Sequence, residues 1–142
     1  MLLGARIEIM ELTAIKPYQK LLKENPQLVS DYQKILVPLS YPKNHLLHVE
    51  NKVCKHSYII ENGAARIYHF KDGKDITSHF AFEGEAIIAI DSLLQGNKSK
   101  YNIELLEDST LFSASYEDME CFYQKSILHE RFGRLFFTAS LR

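Results

Sequence analysis

The sequence predicts a mainly β domain with flanking helices, of the sandwich, barrel or jelly-roll kind. Three observations carry this reading. The prolines, at 17, 26, 38 and 42, all lie in the first third of the chain, whereas four of the six glycines, at 63, 73, 84 and 96, lie in the middle. Between Tyr41 and Ser115 the apolar residues fall into about seven short runs separated by turn residues, the spacing of a closed or two-layered β structure. Beyond Ala114 the apolar spacing becomes helical again.

Taken in order, Asn25-Pro26 reads as a helix start, with Asn at the N-cap and Pro at the first helical position. Leu28, Val29, Tyr32, Ile35 and Leu36 then share one face, and Pro38 and Pro42 end the helix. A weaker helix precedes it over Lys16 to Glu24. The strand-like runs are Leu46-Leu47, Tyr58 to Ile60, Ala65 to Phe70, Ile76 to Phe82, Ala86 to Ile90, Tyr101 to Leu106 and Thr110 to Ala114. Asp72-Gly73 is a two-residue hairpin turn, because both residues tolerate the positive φ that such turns need. Counting outward from it pairs His69 with Ile76 and Arg66 with His79, which puts His69 and His79 on opposite faces. Ser115-Tyr116-Glu117-Asp118 reads as a helix N-terminus with Ser115 as the capping acceptor. A last helix runs from about Leu128 to the end, with Leu128, Phe132, Leu135 and Ala139 on one stripe that Phe136 and Phe137 widen. That stripe has two readings, packing within the domain and pairing with a second copy.

At 142 residues the chain has room for one domain, and 46% hydrophobic with 25% charged residues suits a packed core. Lys plus Arg number 17 against 18 Asp plus Glu, so this chain lacks the basic excess with which proteins neutralise phosphates and grip nucleic acid unaided. Cys54 and Cys121 have no paired spacing, which excludes a disulfide framework and a Cys-rich zinc site and fits a reducing compartment. No apolar run is long enough to span a bilayer, and the first ten residues contain Arg6 and Glu8 and do not read as a signal peptide. A cytoplasmic location with no membrane partner is the expectation.

Catalytic chemistry finds few footholds. His45 and His48, with Glu50 nearby, are three apart, and in a strand such residues face opposite sides, so they do not chelate one ion. No Gly-x-Ser-x-Gly elbow and no phosphate-binding Gly-x-x-x-x-Gly-Lys loop is present, and Gly96-Asn97-Lys98 lacks the required partners. Glu83 and Glu85 flank a turn and read as a solvated corner. No catalytic residue, metal ligand or cofactor is assigned, and the chain is not expected to be an enzyme; a cupin-like metalloenzyme using the histidines is the remote alternative.

The order helix, glycine-punctuated roll, two helices resembles the effector domain of Crp/Fnr-family bacterial transcription regulators, and more widely the cyclic-nucleotide-binding β roll. Tyr58-Ile59-Ile60-Glu61-Asn62-Gly63, followed by Arg66 and Tyr68, is similar to the family's Tyr-x-Ile-x-x-Gly strand and turn; Asp72-Gly73-Lys74 resembles its next hairpin. Phe82-Glu83-Gly84-Glu85 resembles the entry to the phosphate-binding segment, Ser115-Tyr116-Glu117-Asp118-Met119 the helix after the roll, and 128–142 the start of the dimerisation helix. Asn51 stands where relatives commonly have Gly, and Asn tolerates the same left-handed conformation. The resemblance implies a jelly roll divided into an N-terminal extension over 1–25, a roll over 26–126 and the start of a dimerisation helix over 127–142, where Leu128, Phe132, Leu135, Phe136 and Ala139 would meet a second copy.

It also implies where a cyclic phosphate would sit, and there the sequence departs. Nucleotide-binding members carry Gly-Glu after the entry segment and an Arg about ten residues on: the amides and Arg hold the phosphate, and the Glu holds the ribose. Aligned from Gly84 and Glu85 to Tyr116, this chain has Ile88 and Ala89 for Gly-Glu and Ser99 for Arg, with Lys100 next to it. Loss of a buried charged partner costs about 2–5 kcal/mol, so binding of cAMP in the usual way is not expected. The alternative is a genuine cAMP or cGMP domain that uses Lys100 for the phosphate. Iron–sulfur sensing would need an N-terminal cysteine cluster, which this chain lacks. The expected role is a homodimeric sensor domain that reaches DNA only through a helix-turn-helix domain beyond Arg142, whose absence here accounts for the balanced charge.

Overall fold

A computed structural model describes residues 23–89, 91–92 and 96–140, the last six of them as helix backbone. The elements in chain order are α1 (Pro26–Ile35), β1 (Val37–Tyr41), β2 (Leu46–His48), β3 (Lys52–Val53), β4 (His56–Asn62), β5 (Ala65–Lys71), β6 (Lys74–Ala81), β7 (Ala86–Ile87), β8 (Lys98–Ser99), β9 (Asn102–Leu105), β10 (Ser109–Ser115), α2 (Tyr116–Tyr123) and α3 (Ile127–Ser140). The expected helix over 16–24 falls mostly outside the described residues, as does Ile90.

Two antiparallel four-stranded sheets, β1-β10-β4-β7 and β2-β9-β5-β6, face each other, and β3 pairs with β8 beside them. The predicted roll with flanking helices is therefore the observed architecture. Alternation along the first sheet divides its side chains between two cores. Tyr58, Ile60 and Leu111 point inward and meet Ile67, Ile103 and Leu105 of the second sheet. Ile59, Phe112 and Ala114 point the other way, where Leu28 and Tyr32 of α1, Met119 and Phe122 of α2 and Phe132 of α3 cover them. Both faces of that sheet are thus dry, which is why β4 is buried over four consecutive residues, Ser57 to Ile60.

The helix starts form as the sequence predicts. Asn25 is the N-cap of α1 and its carbonyl accepts from Leu28 N at 3.0 Å, with Pro26 at the first position. The Ser115 hydroxyl accepts from Asp118 N at 3.0 Å and opens α2. The hairpin turn is also as expected: Lys71 faces Lys74, and Asp72 and Gly73 have φ of 53° and 77°. Asn51, with φ of 68°, takes the left-handed conformation.

Four expectations change. Pro38, read as a helix stop, lies inside β1; that strand is an edge paired only with β10, so proline's missing N–H costs no ladder bond on its open side. The strand expected over Ala86 to Ile90 closes after Ile87. A bulge between Ile67 and Tyr68 moves the β5–β6 register by one, so His79 faces Ile67 and Arg66 faces Phe80. Because His69 lies two residues from Ile67, the bulge removes the argument that His69 and His79 lie on opposite faces. Finally, Phe132 does not belong to a seam with a second copy: it is 2% exposed, with the Tyr32 and Phe122 ring centroids 5.0 and 5.8 Å away. It packs within its own chain, in one core with Leu28 and Tyr32 of α1 and Met119 and Phe122 of α2. Leu128 is partly exposed, and the side chains of Leu135, Phe136 and Ala139 lie outside the described part.

Candidate functional site

The described parts of the segment from Phe82 to Lys100, residues 82–89, 91–92 and 96–100, are held by close backbone and side-chain bonds. Gly84, with φ of 80°, donates its amide to the Ile60 carbonyl at 2.7 Å, and the Glu85 carbonyl accepts from Ile60 N at 3.0 Å. Glu85 turns its carboxylate back on the Phe82 amide at 2.8 Å, so it closes its own turn. Ile88 is half-buried and Ala89 is fully buried. Neither offers a polar side chain where the resemblance would put a ribose partner.

At the far end of the segment, Ser99 and Lys100, which the resemblance aligns with the phosphate-binding Arg, meet a carboxylate of the same chain. The Ser99 side chain is fully buried, and its hydroxyl donates to Asp91 Oδ1 at 2.8 Å while accepting from Tyr101 N at 3.1 Å. The Lys100 amide donates to Asp91 Oδ2 at 2.9 Å, and the Ser92 amide to Oδ1 at 3.0 Å. Ser92 ties this cluster to the strands: its hydroxyl accepts from Cys54 N at 3.0 Å and donates to the Asn97 carbonyl. The Ser99 carbonyl accepts from Asn51 N at 2.7 Å. Three donors therefore converge on one carboxylate of the same chain, a geometry suited to an anion. The Lys100 ammonium is exposed and lies 5.3 Å from the centroid of the Tyr101 ring.

Asp91 was not among the residues singled out from the sequence. The only signal was an acid eight positions before Ser99 in a polar loop, and spacing alone does not fold a loop back on itself. Arg66, which the sequence did mark, is fully engaged elsewhere. It bonds Glu104 at 2.9 Å and Thr77 at 2.9 Å, grips both oxygens of Asp75 at 2.7 Å, and lies 3.9 Å from the Tyr68 ring centroid. This network spans β6, β5 and β9 and fixes the outer face of the second sheet.

The histidines separate. His45 stacks on Tyr41 at 3.9 Å outside any strand, and His48 is buried. Among the described residues no three His, Cys, Asp or Glu side chains come together as a metal would require. His129 makes a contact that the sequence reading missed: Nε2 meets Asp31 Oδ2 at 2.8 Å and Nδ1 meets the Ser126 hydroxyl at 2.7 Å. Asp31 also accepts from Gln27 Nε2 at 2.8 Å, and Lys34 and Lys125 each lie 3.7 Å away. The His129 contact, then the Gln27 bond, hold the Asp31 carboxyl below its ordinary value, against the opposing effect of burial. Although Ser, His and Asp are in line here, Ser126 also accepts from the His129 amide at 3.2 Å, so its hydroxyl is occupied in opening α3.

No described helix is long and apolar enough to cross a membrane. No curated protein matches the chain in sequence. Solved structures do match it in fold. The Thermus thermophilus catabolite activator protein superposes with a TM-score of 0.69 at 19% identity, over 82% of this chain and 55% of that one. The c-di-GMP-responsive regulator CLP of Xanthomonas campestris gives 0.68 at 14%, over 81% and 55%. FixK2 of Bradyrhizobium japonicum gives 0.63 at 19%, over 76% and 53%. The chain thus spans about half the length of these structures, and at such identities they establish the fold alone. The sequence profile of the cyclic nucleotide-binding domain matches residues 38–126, well over half of the chain. By that match, and with the fold in agreement, the chain belongs to the cyclic nucleotide-binding domain family.

Proposed function

We propose that this chain is the sensor domain of a Crp/Fnr-like transcription regulator and that it does not take a cyclic nucleotide by its phosphate. One observation carries the reading: the donors of the Ser99–Lys100 segment are already committed to the Asp91 carboxylate. A cyclic phosphate arriving there would displace that carboxylate or sit beside it, and like charges at contact distance repel. The missing Arg and the apolar Ile88-Ala89 pair act in the same direction. The domain has the character of a binding module and not of an enzyme, and any contact with DNA would be made by a separate helix-turn-helix domain. A second copy would pair along α3, where Ile127 and Leu128 are exposed.

Titration with cAMP and cGMP tests this directly. A ligand at 100 times its Kd stabilises the folded state by about 2.7 kcal/mol, a shift easily seen in thermal unfolding. The expected result is no shift at about 1 mM of either nucleotide, a concentration about 100 times a Kd of 10 μM. The alternative reading, in which Lys100 holds the phosphate, is favoured by one line of the geometry: its ammonium is exposed and near Tyr101. Saturable binding that disappears in Lys100→Ala would establish that alternative and overturn the first.

A further inference from the structure

Alternation along the β3–β8 ribbon sorts its side chains. Lys52 faces Ser99 and Val53 faces Lys98. Ser99 is fully buried against Asp91, and Cys54 is 3% exposed with its amide on the Ser92 hydroxyl. In extended chain the neighbours of an inward residue point outward. Lys98 and Lys100 flank Ser99, Val53 and Lys55 flank Cys54, and all four are exposed. The antiparallel register sets them in one row. Lys55 stands at one end, Val53 beside Lys98 in the middle, and Lys100 at the other end, beside Asn51. Residues two apart along a strand are about 7 Å apart, so the row carries three cations at steps of about 7–8 Å.

The row is held from beneath. The Asp91 carboxylate accepts from the Ser99 hydroxyl and the Lys100 amide, Ser92 joins Cys54 N to the Asn97 carbonyl, and the Ser99 carbonyl accepts from Asn51 N. Asp91 is thereby turned inward, and Glu50 is turned to Asn102 Nδ2 at 3.5 Å. None of Lys55, Lys98 and Lys100 takes part in an ion pair among the described residues. Cations elsewhere are placed differently: Arg66 lies between Asp75 and Glu104, Arg134 on Glu130, and Lys34 and Lys125 on Asp31. Like charges on one strand face repel, and the 40% exposed Val53 among them leaves apolar surface in water. The inward polar groups of this segment are used up, whereas its outward charges are not.

We propose that the outer side of this ribbon docks an extended acidic peptide segment of a partner protein. Carboxylates at alternate positions meet Lys55, Lys98 and Lys100, and their methylene stems cover Val53. Alternate side chains of an extended peptide stand about 7 Å apart on one face, the same step as the lysines. Duplex DNA is the poorer fit. Its attraction grows with the number of phosphates neutralised, and three lysines on a chain of net charge −1 neutralise few. The inference rests on the preceding reading, because it needs the inner side of this segment to be closed by Asp91.

The test is a titration of the intact chain with a short blocked peptide of alternating Ser and Glu, followed by backbone amide resonances. In dilute salt the peptide is expected to saturate with a Kd below about 1 mM and to move the resonances of Lys98 and Lys100. At about 0.5 M salt, where exposed charges are screened, it is expected to bind at least tenfold more weakly. The double variant Lys98→Glu with Lys100→Glu is expected to show the same loss in dilute salt. Its unfolding midpoint should be no lower than that of the native chain, since both side chains are exposed and unpaired. Lys71→Glu with Lys74→Glu makes an equal change of net charge at the β5–β6 turn and is expected to bind as the native chain does. Failure to saturate, equal loss in the two double variants, or tighter binding of a short duplex DNA overturns the proposal. A cAMP titration run in parallel separates the two readings. Saturation by cAMP that disappears in Lys100→Ala defeats the functional proposal, whereas silence from both the peptide and cAMP defeats only this one.

Discussion

His129 and His48 are equally buried, at 8% exposure each, yet one is satisfied at both ring nitrogens and the other is not. The first sits where α1, α2 and α3 meet on the outer side of the first sheet; the second sits inside the roll. On the helical side the buried charge among the described residues is well partnered: Asp31 gathers Gln27, His129 and two lysines around one carboxylate. The aromatic rings of Tyr32, Phe122 and Phe132 close over it with centroids 5.0 to 5.8 Å apart. That region is organised for stability. In the roll, the core of Ile60, Ile67, Ile103 and Leu105 is equally dry, but it ends in polar groups left without partners. Tyr116, the first residue of α2, has an unpartnered hydroxyl as well, but it lies against Cys54 and Ala89 at the roll, so the unmet polar atoms among the described residues gather at the roll and not around Asp31.

The largest blow to this division should come from the scaffold side. Phe132→Ala removes a ring that three helices share, and truncation of a fully buried Phe costs about 3–5 kcal/mol. Urea unfolding should show a fall of that size with an unchanged m-value. If Phe132 instead served mainly a second copy, the loss would depend on protein concentration and the monomer would be little affected. The next effect belongs to the site. Asp91→Ala takes the acceptor from the buried Ser99 hydroxyl and from the Lys100 amide, a loss of about 1–3 kcal/mol in the same assay. A loss near zero would mean that the carboxylate is not holding the loop, and the roll side would then be less ordered than the helical side.

How much of this contrast was legible in the sequence follows from the range of each interaction. The Asp72-Gly73 hairpin and the Ser115 cap depend on residues within four positions of one another, so local rules found both. Strand β1 was missed because a proline was read as a terminator, whereas an edge strand accommodates it. The His79 register was missed because a bulge adds a residue that counting from the turn cannot see. The family likeness located the Gly84–Lys100 segment and the loss of its usual phosphate partners. It did not reveal Asp91, since the pattern says which residues are absent and not what takes their place. The Asp31–His129 contact joins residues 98 positions apart, and nothing in either neighbourhood marks the other. Phe132 shows the same limit from another side: a helical stripe identifies an apolar face but not what that face meets.

The smallest effect at neutral pH, and the most selective one, comes from Asp31→Asn. Asparagine keeps the shape and loses the charge: its one oxygen accepts from Gln27 at the Oδ1 position, and its NH2 stands at the Oδ2 position, where a neutral His129 accepts through Nε2. The His129 contact, then Gln27, and then Lys125 and Lys34 favour the ionised carboxyl in the folded chain and hold it below the ordinary value of 3.8. A group depressed on folding contributes stability that is complete above its unfolded value and disappears as pH falls through its folded one. Stability of the native chain should therefore drop as the pH is taken below about 4. Asp75, held down by Arg66 on the outer face of the second sheet, contributes to the same drop. Asp31→Asn should flatten the acid limb of the urea midpoint against pH but leave the part due to Asp75, and Asp75→Asn should do the reverse. An acid limb untouched by Asp31→Asn would show that the carboxylate on the helical side gains nothing from its neighbours, and the contrast between a satisfied scaffold and an unsatisfied site would fail at its better-supported end.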